Sequence, residues 1–571
     1  MRRRSFFPLA LSPFLSAEEY KYGPDSERHP GVPTGKVSKF QWTTSAIYPG
    51  TTHDYWIYVP AQYDSAKPAA VMVFQDGSTF VNETGAFRVP IVFDNLIHKG
   101  EMPVTIGLFI SPGVLPARNP NEQGRFYRSY QYDAVTDRYA RFLGEEMLPE
   151  IAKTYTISPD PNLHAISGSS SGGNCSLIVA WHRPEYFRRV VSFIGGFTHQ
   201  RGALILPSQV RKFEGKPIRV FLQDGKADQN IESNYDMMAA LKIGGYDANL
   251  VVGTEGHNSK HGGPLLPDAL RWVWRDWSKP IAKPLTSFAS RFVDQTVEWE
   301  LVSSGHKFTE GPAVDPNGDV YFSDIPNNRI HKISHATGKV TLFKQDTGGV
   351  NGLMFGPDGK LYGCQNGRKR IVSYDAVGSE SIVADEVGSN DIAINAAGGI
   401  YFTEPGAKRV WYINPKGEKR IVHEGISFPN GVRLSPDQSL LYVADMLTRS
   451  IWSFQTQADG SLKFGIAFHR LEMEDEYGDT GQMRSGADGF TVDTEGFLYV
   501  ATRLGLQIND PAGRTAAVLL KPGNKGISNA VFAGPGLDTL YVTATDQVYR
   551  RKTKRQGVFP WKAVKPPIPR L

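Results

Sequence analysis

An internal repeat in the C-terminal half constrains the fold more than any other feature. Six segments align from Glu310, Asn351, Asn390, Asn430, Asp488 and Asn529. Each opens on a polar, oxygen-bearing residue, passes through a Pro/Asp/Gly-type turn and reaches an apolar residue followed by tyrosine. Those tyrosines are Tyr321, Tyr362, Tyr401, Tyr442, Tyr499 and Tyr541, and the anchors are 41, 39, 40, 58 and 41 residues apart. A single hairpin unit cannot bury its own apolar face, so neighbouring units must stack. A period near forty with a hairpin in each unit predicts β-propeller blades. Six units predict six blades, with an insertion in the 58-residue interval. A β-sandwich array would give no reason for a polar oxygen at the head of every unit.

The chain has 571 residues, too many for one ordinary domain, and its texture before about residue 278 is different. Short apolar runs at 71–74, 105–110, 163–166, 218–222 and 249–252 read as buried strands. Between them a helix is predicted over 133–153, where Val135, Tyr139, Phe142, Leu143, Met147 and Leu148 recur at three- and four-residue steps. Alternating strands and helices predict an α/β layer around a mainly parallel sheet. The stretch 279–297, opening with two prolines, reads as a linker, and the propeller is placed at 298–555.

At the N-terminus, Arg2, Arg3 and Arg4 precede an apolar run over 6–15, then Ser16 and Ala17. This pattern predicts a secretory signal peptide over 1–17 and a periplasmic or secreted location, the alternative being a cytoplasmic leader. No apolar stretch approaches the ~20 residues of a membrane span. A net charge of +5 gives no nucleic-acid footprint, and the basic run Arg550, Arg551, Lys552, Lys554 and Arg555 reads as a solvated face or tail. With 40% hydrophobic residues the chain can fill large cores, which excludes global disorder. Cys175 and Cys364 fall in different predicted domains and are expected to be free thiols.

The first half carries Gly168-Ser169-Ser170-Ser171-Gly172 between a predicted strand and a predicted helix. Small residues allow the sharp turn that exposes a nucleophilic Ser170, and the amide of Ser171 would open the helix facing an oxyanion. Asp224 and Asp228 follow the next predicted strand, and His257 and His261 follow the last. The order Ser, Asp, His suits a triad in which His257 takes the Ser170 proton and Asp228 fixes the imidazole tautomer. Asp224 and His261 are the competing choices. These residues, with Gln223-Asp-Gly and His261-Gly-Gly, resemble the putative esterase family, which includes enterochelin, feruloyl and acetyl-xylan esterases. The resemblance covers about 40–277 and implies an α/β-hydrolase serine esterase domain, placed at 20–278, that forms an acyl-enzyme. The second oxyanion donor would then come from the loop Gln75-Asp76-Gly77-Ser78, with Gly77 the candidate.

In a propeller the six anchors face a central channel. Polar side chains converging there without a partner are costly, and a hard divalent cation resolves the conflict. Turn capping by Asn and Asp is the competing explanation. No anchor is Cys or His, which argues against a zinc-type structural site. Phe308-Thr-Glu310-Gly-Pro, Ser389-Asn390-Asp-Ile, Pro429-Asn430-Gly-Val and Ala487-Asp488-Gly-Phe resemble the SMP-30/gluconolactonase family of six-bladed propellers. Carried over position by position, the family's metal ligands fall on Glu310, Asn390, Asn430 and Asp488. Asp488 doubles there as general base, and Asn351 lines the channel nearby. The resemblance implies calcium or another divalent ion, with Mg2+, Mn2+ and Zn2+ as alternatives. One departure bears on sugar-lactone preference: the family's arginine two residues before the asparagine ligand is Gly388 here.

Together these features predict a multidomain chain, an α/β-hydrolase domain followed by an all-β propeller. The expected activity joins a serine carboxylesterase acting on feruloyl- or acetyl-type esters of carbohydrate to a metal-dependent lactonase. Small-molecule or oligosaccharide esters and lactones are the expected partners. The alternatives are a siderophore esterase and an esterase with a non-catalytic propeller binding module.

Overall fold

The computed structural model describes residues 20–198, 203–473 and 484–568, so the predicted leader lies outside the described residues. The chain forms two compact units. The first comprises the chain up to Leu206, Pro217–Lys242 and Tyr246–Ala282; the second holds Pro207–Lys216, Ile243–Gly245 and Lys283–Leu571.

The first unit is built on an eight-stranded, α/β-hydrolase-like sheet. In spatial order its strands are Lys36–Trp42, His53–Val59, Thr105–Ile110, Ala70–Gln75, His164–Ser169, Arg189–Phe193, Arg219–Gly225 and Asp247–Gly253. The second strand pairs antiparallel with both its neighbours, and every other pairing is parallel. Ala70–Gln75 and Thr105–Ile110 are buried at every position, as strands covered on both faces must be. Helices Val89–His98 and Gly262–Trp274 bring Val92, Phe93, Leu270 and Trp274 into one apolar cluster with Met72, Phe74 and Phe109. Parallel strands end together at one edge of the sheet, so the loops that follow Gln75, Ser169, Gly225 and Gly253 gather there.

The helix expected over 133–153 starts later, at Arg138, and runs to Ala152 through a wide π turn at Phe142–Met147. Pro149 lacks the amide a regular α-turn would use, and the widened turn just before it absorbs that defect. Among the described residues no helix is long and apolar enough to cross a membrane.

The second unit contains a ring of six four-stranded antiparallel sheets. Their inner strands are Thr309–Val314, Val350–Phe355, Ile392–Ile394, Pro429–Leu434, Phe490–Val492 and Ile527–Ala533. Each inner strand touches the next, and Ile527–Ala533 returns to Thr309–Val314. Asp315, Asn395 and Asp493 explain the recurrent turn: each side-chain oxygen accepts from the amides two and four residues on. The ring is closed by Glu300–Ser303, which pairs with Gln547–Lys552 and completes the last sheet.

Three sequence expectations change in this unit. The stretch 279–297 does not run free as a linker, since Ala289, Phe292 and Val293 are buried in the propeller core. The basic run is not a tail and only in part a solvated face: Lys552 and Lys554 are exposed, but the arginines are not. Arg551 is fully buried against Glu214 at 2.7 Å, Arg550 pairs with Glu300, and Arg555 with Asp493 and Glu495. Pro207–Lys216, expected in the esterase domain, belongs with the second unit, where Leu520 N donates to Glu214 Oε2 and Gln209 Nε2 to Met473 O. Cys175 and Cys364 are both buried free thiols.

Candidate functional sites

Ser170 stands between strand His164–Ser169 and helix Ser171–His182 with φ 58° and ψ −123°, a conformation that L residues rarely adopt. Such strain costs about 1–3 kcal/mol and persists only where the surroundings enforce it. The neighbouring glycines show how. A Cβ on Gly168 would lie 2.4 Å from the Gly172 backbone, so strand end and helix start pass in contact. Ser170 N donates to Phe193 O at 2.9 Å, which pins the turn to the adjacent strand.

His257 Nε2 lies 2.9 Å from Ser170 Oγ, and its Nδ1 lies 2.9 Å and 3.1 Å from the Asp228 carboxylate oxygens. The Asp228 side chain is wholly buried and also accepts from Asn230 N at 2.8 Å. The two loops that carry these residues touch at Gly225, where a Cβ would sit 1.8 Å from Glu255 O. Only glycine lets them approach.

The competing residues stand elsewhere. His261 Nδ1 is 3.1 Å from Gln223 Nε2, and its ring stacks on Tyr20. Asp224 is close enough to Asp228 to interact with it, and it accepts from Gly225 N and from Asn234 Nδ2 at 2.6 Å. Burial, with the adjacent Asp228 carboxylate, pushes its carboxyl up to about 7.

Ser171 and Gly77 are each the first residue of a helix, Ser171–His182 and Gly77–Val81, so their amides have no intrahelical acceptor. The Asp76 amide is already committed to Tyr132 Oη at 3.2 Å, which leaves Gly77 and Ser78 from the expected loop. Gly77 is pressed onto the neighbouring strand, with a Cβ position 2.4 Å from Ile110 N.

Sequence reading missed the brace between that loop and the elbow. Arg128 donates to both oxygens of Asp76, Nε at 2.9 Å and Nη2 at 2.7 Å, and Nη2 also reaches Ser169 O at 3.4 Å. Replacing Arg128 by alanine is expected to lower kcat for ester hydrolysis about 10–100-fold by loosening this geometry. Steady-state kinetics would check it, and a change confined to KM would contradict the positioning role.

A cavity of about 700 Å³ opens over Ser170 and His257. Phe80, Pro112, Val114, Phe126 and Ile194 supply apolar wall, and Thr52, Asp54, Ser111, Asn258 and Ser259 supply polar groups.

At the propeller axis the structure brings Asp488 together with the buried Glu310 and Asn430. Asp488 is hydrogen-bonded with the Asn430 side chain, and Asn529 Nδ2 donates to Glu310 Oε2 at 3.0 Å. Asn390 and Asn351 hold the adjoining strand starts through their backbones: Gly352 N donates to Asn390 O, and Ser323 Oγ to Asn351 O.

The residue sequence reading missed here is Asp391, buried next to Asn390. Burial and then Asp391 push Glu310 up to about 7. Burial, Glu310 and Asp391 push Asp488 well above the ordinary carboxylate range. Arg433 is the guanidinium set against these carboxylates; its Nη1 lies 3.4 Å from Asp391 Oδ1 and donates to Ile392 O and Val432 O. Three acids against one guanidinium leave two formal negative charges enclosed. At Gly388, the space near the backbone is taken by Glu404, whose Oε1 accepts from Gly388 N at 3.0 Å.

Residues 48–242 match the family described as Putative esterase, and residues 308–546 match the family described as SMP-30/Gluconolactonase/LRE-like region. A gluconolactonase from Zymomonas mobilis is 28% identical over 314 residues, which covers 48% of this chain and 87% of the relative. Pentonolactonase XacC from Haloferax volcanii is 23% identical, covering 43% of this chain and 83% of the relative. An iron(III) enterobactin esterase from Dickeya dadantii is 25% identical, covering 38% of this chain and 51% of the relative. The chain therefore spans about half the length of that esterase. Both resemblances read in the sequence hold, one for each segment.

Proposed function

We propose that this chain, an esterase-family segment joined to a gluconolactonase-family propeller, is a hydrolase with two separate sites, a serine carboxylesterase and a divalent-metal-dependent lactonase. The observation that carries the first is the relay from Ser170 through His257 to Asp228, with both links at 2.9 Å. His257 Nε2 takes the Ser170 proton as Oγ attacks the ester carbon, and Asp228 holds the Nδ1–H tautomer and stabilises the imidazolium. The oxyanion is received by the amides of Ser171 and Gly77, and the imidazolium then protonates the departing alcohol. Water enters by the same route and frees the acid.

The substrate proposed is a feruloyl- or acetyl-type ester of a carbohydrate. The mixed wall of the cavity supports it: apolar side chains for the acyl group, hydroxyl and amide groups for a sugar. The lining guanidinium, Arg128, is paired with Asp76, and Asp54 with Lys39, which favours an uncharged ligand over a polyanionic ferric siderophore. The Dickeya relative still makes siderophore hydrolysis the reading to test against.

For the propeller, an all-oxygen donor set with two uncompensated charges fits a hard divalent cation. Glu310, Asn390, Asn430 and Asp488 would hold it, Ca2+ first among the candidates. When bound, such an ion supplies Lewis-acid polarisation of a lactone carbonyl. Asp488, whose carboxyl is pushed well above the ordinary carboxylate range by burial and by the neighbouring Glu310 and Asp391, is the group proposed to accept a proton from water. We propose that the two sites act in turn on one acylated carbohydrate, which accords with the export that the leader predicts.

The test is a paired assay of the full chain on a hydroxycinnamate methyl ester, a catecholate trilactone and an aldonolactone, with and without chelator. Ester hydrolysis is expected to survive chelation and lactone hydrolysis to disappear. Lactone hydrolysis absent at every divalent-ion concentration would make the propeller a binding module. Faster turnover of the trilactone would move the first site to siderophores.

A further inference from the structure

The first blade holds a cluster that neither site uses. Val320–Asp324 pairs antiparallel with Arg329–Ile333 so that Phe322 stands opposite His331. Asp324, two residues from Phe322, shares that sheet face. His306 lies between the ring-closing strand Glu300–Ser303 and the inner strand Thr309–Val314 and joins the cluster from outside the ladder. One donor atom from each of His306, Asp324 and His331 lies within 4.8 Å of the other two.

Ring packing accounts for part of this. His331 stacks on Phe322, and His306 meets both rings edge-on. It does not account for the polar atoms. His331 Nε2 is buried with no hydrogen-bond partner, a condition that native interiors rarely leave uncompensated. His306 Nδ1 faces Asp324 Oδ2 at 3.4 Å, and its Nε2 shares a 2.7 Å hydrogen bond with Ser303 Oγ. The carboxylate is fixed in turn: Asn327 Nδ2 donates to Oδ2 at 2.7 Å and Lys307 N to Oδ1 at 3.1 Å. A ring nitrogen turned inward, with the other held by a hydroxyl, and a carboxylate oriented by an amide, is the outer-shell pattern of a metal site.

We propose that His306, Asp324 and His331 form a second metal site, selective for a borderline transition ion such as Zn2+ or Co2+. Two imidazole nitrogens and one carboxylate oxygen suit such ions, whereas the axial group offers oxygen alone and suits Ca2+ or Mg2+. In the tautomer that binds metal, Nε2–H of His306 donates to Ser303 Oγ and Nδ1 is free to coordinate. The consequence is mechanical. Glu300–Ser303 belongs to the last sheet and Val320–Asp324 to the first, so an ion held by His306, Asp324 and His331 staples the seam where the ring closes.

The test is a Co2+ titration of the full chain in millimolar Ca2+, read by the visible d–d absorption of the bound ion. One equivalent with a tetrahedral-type spectrum is expected, displaced by Zn2+. His331→Ala is expected to abolish it and Glu310→Gln to leave it intact. Ser303→Ala, which removes only the outer-shell hydroxyl, is expected to weaken Co2+ about 10-fold. Absence of the band in the wild-type chain overturns the site, whatever the variants do. A band that survives in a folded His331→Ala, or in Ser303→Ala at unchanged affinity, overturns the ligand assignment.

Discussion

Ser170→Ala is expected to lower kcat for ester hydrolysis by about four to six orders of magnitude, with KM little changed. In the proposed mechanism Ser170 Oγ forms the acyl-enzyme, and neither His257 nor Asp228 can replace it. Asp228→Asn, which keeps the shape but favours the wrong imidazole tautomer, is expected to cost about 10⁴-fold at neutral pH. Folding separates these effects from simple damage. Ser170 is held at φ 58°, so Ala keeps the strain while glycine removes it. Ser170→Gly should therefore be as inactive as Ser170→Ala yet more stable, by about 1–3 kcal/mol. Thermal unfolding of the two variants beside their rates checks both halves of the argument. A Ser170→Ala protein that still turns over esters at a tenth of the wild-type rate would remove Ser170 from the chemistry.

What could be read from the sequence was what is fixed by local backbone demands or by repetition. Ser170 was legible because its turn admits only small neighbours on either side. Asp228 and His257 followed because each comes just after a strand of a parallel sheet, and such strands end at one edge. The six blades were legible because a polar anchor, a turn and an apolar residue followed by tyrosine recur in every unit. The closing strand Glu300–Ser303 lies before the repeat and carries no copy of its pattern. Strand Lys36–Trp42 was overlooked because this edge strand interleaves polar residues with its apolar ones and forms no apolar run. The Arg128–Asp76 brace joins residues 52 apart, and nothing in either neighbourhood announces the other. Asp391 was hidden by Asn390 beside it: adjacent polar residues at a strand start look alike until one is seen to be buried with Glu310 and Asp488. The basic run misled for the converse reason, since charge density does not reveal that Arg551 has a buried carboxylate waiting for it.

The second large effect concerns those axial acids. In chelator, the unfolding temperature of the propeller is expected to fall as pH rises from about 5 to 7.5, and divalent cation is expected to abolish the fall. The folded-state pKa of Glu310 lies near 7, above its unfolded value of 4.5, so the folded chain retains a proton that the unfolded chain has released. Between those values stability declines with pH; below 4.5 the contribution is fully present, and above about 7 it is gone. For Glu310 alone the loss is about 3 kcal/mol, and Asp488, raised in the same direction, adds to it. For a unit of this size that corresponds to a shift on the order of 10 °C. A bound cation reverses the sign, because it stabilises the ionised acids and binds more tightly as they lose protons. Asp488→Asn removes one acid, so it should flatten the pH dependence in chelator while weakening the response to cation. Scanning calorimetry across pH, with chelator and with millimolar Ca2+, gives all three curves. An apo transition that does not move with pH would mean that these carboxylates are already neutralised by the protein, and the case for a cation on the axis would fail with it.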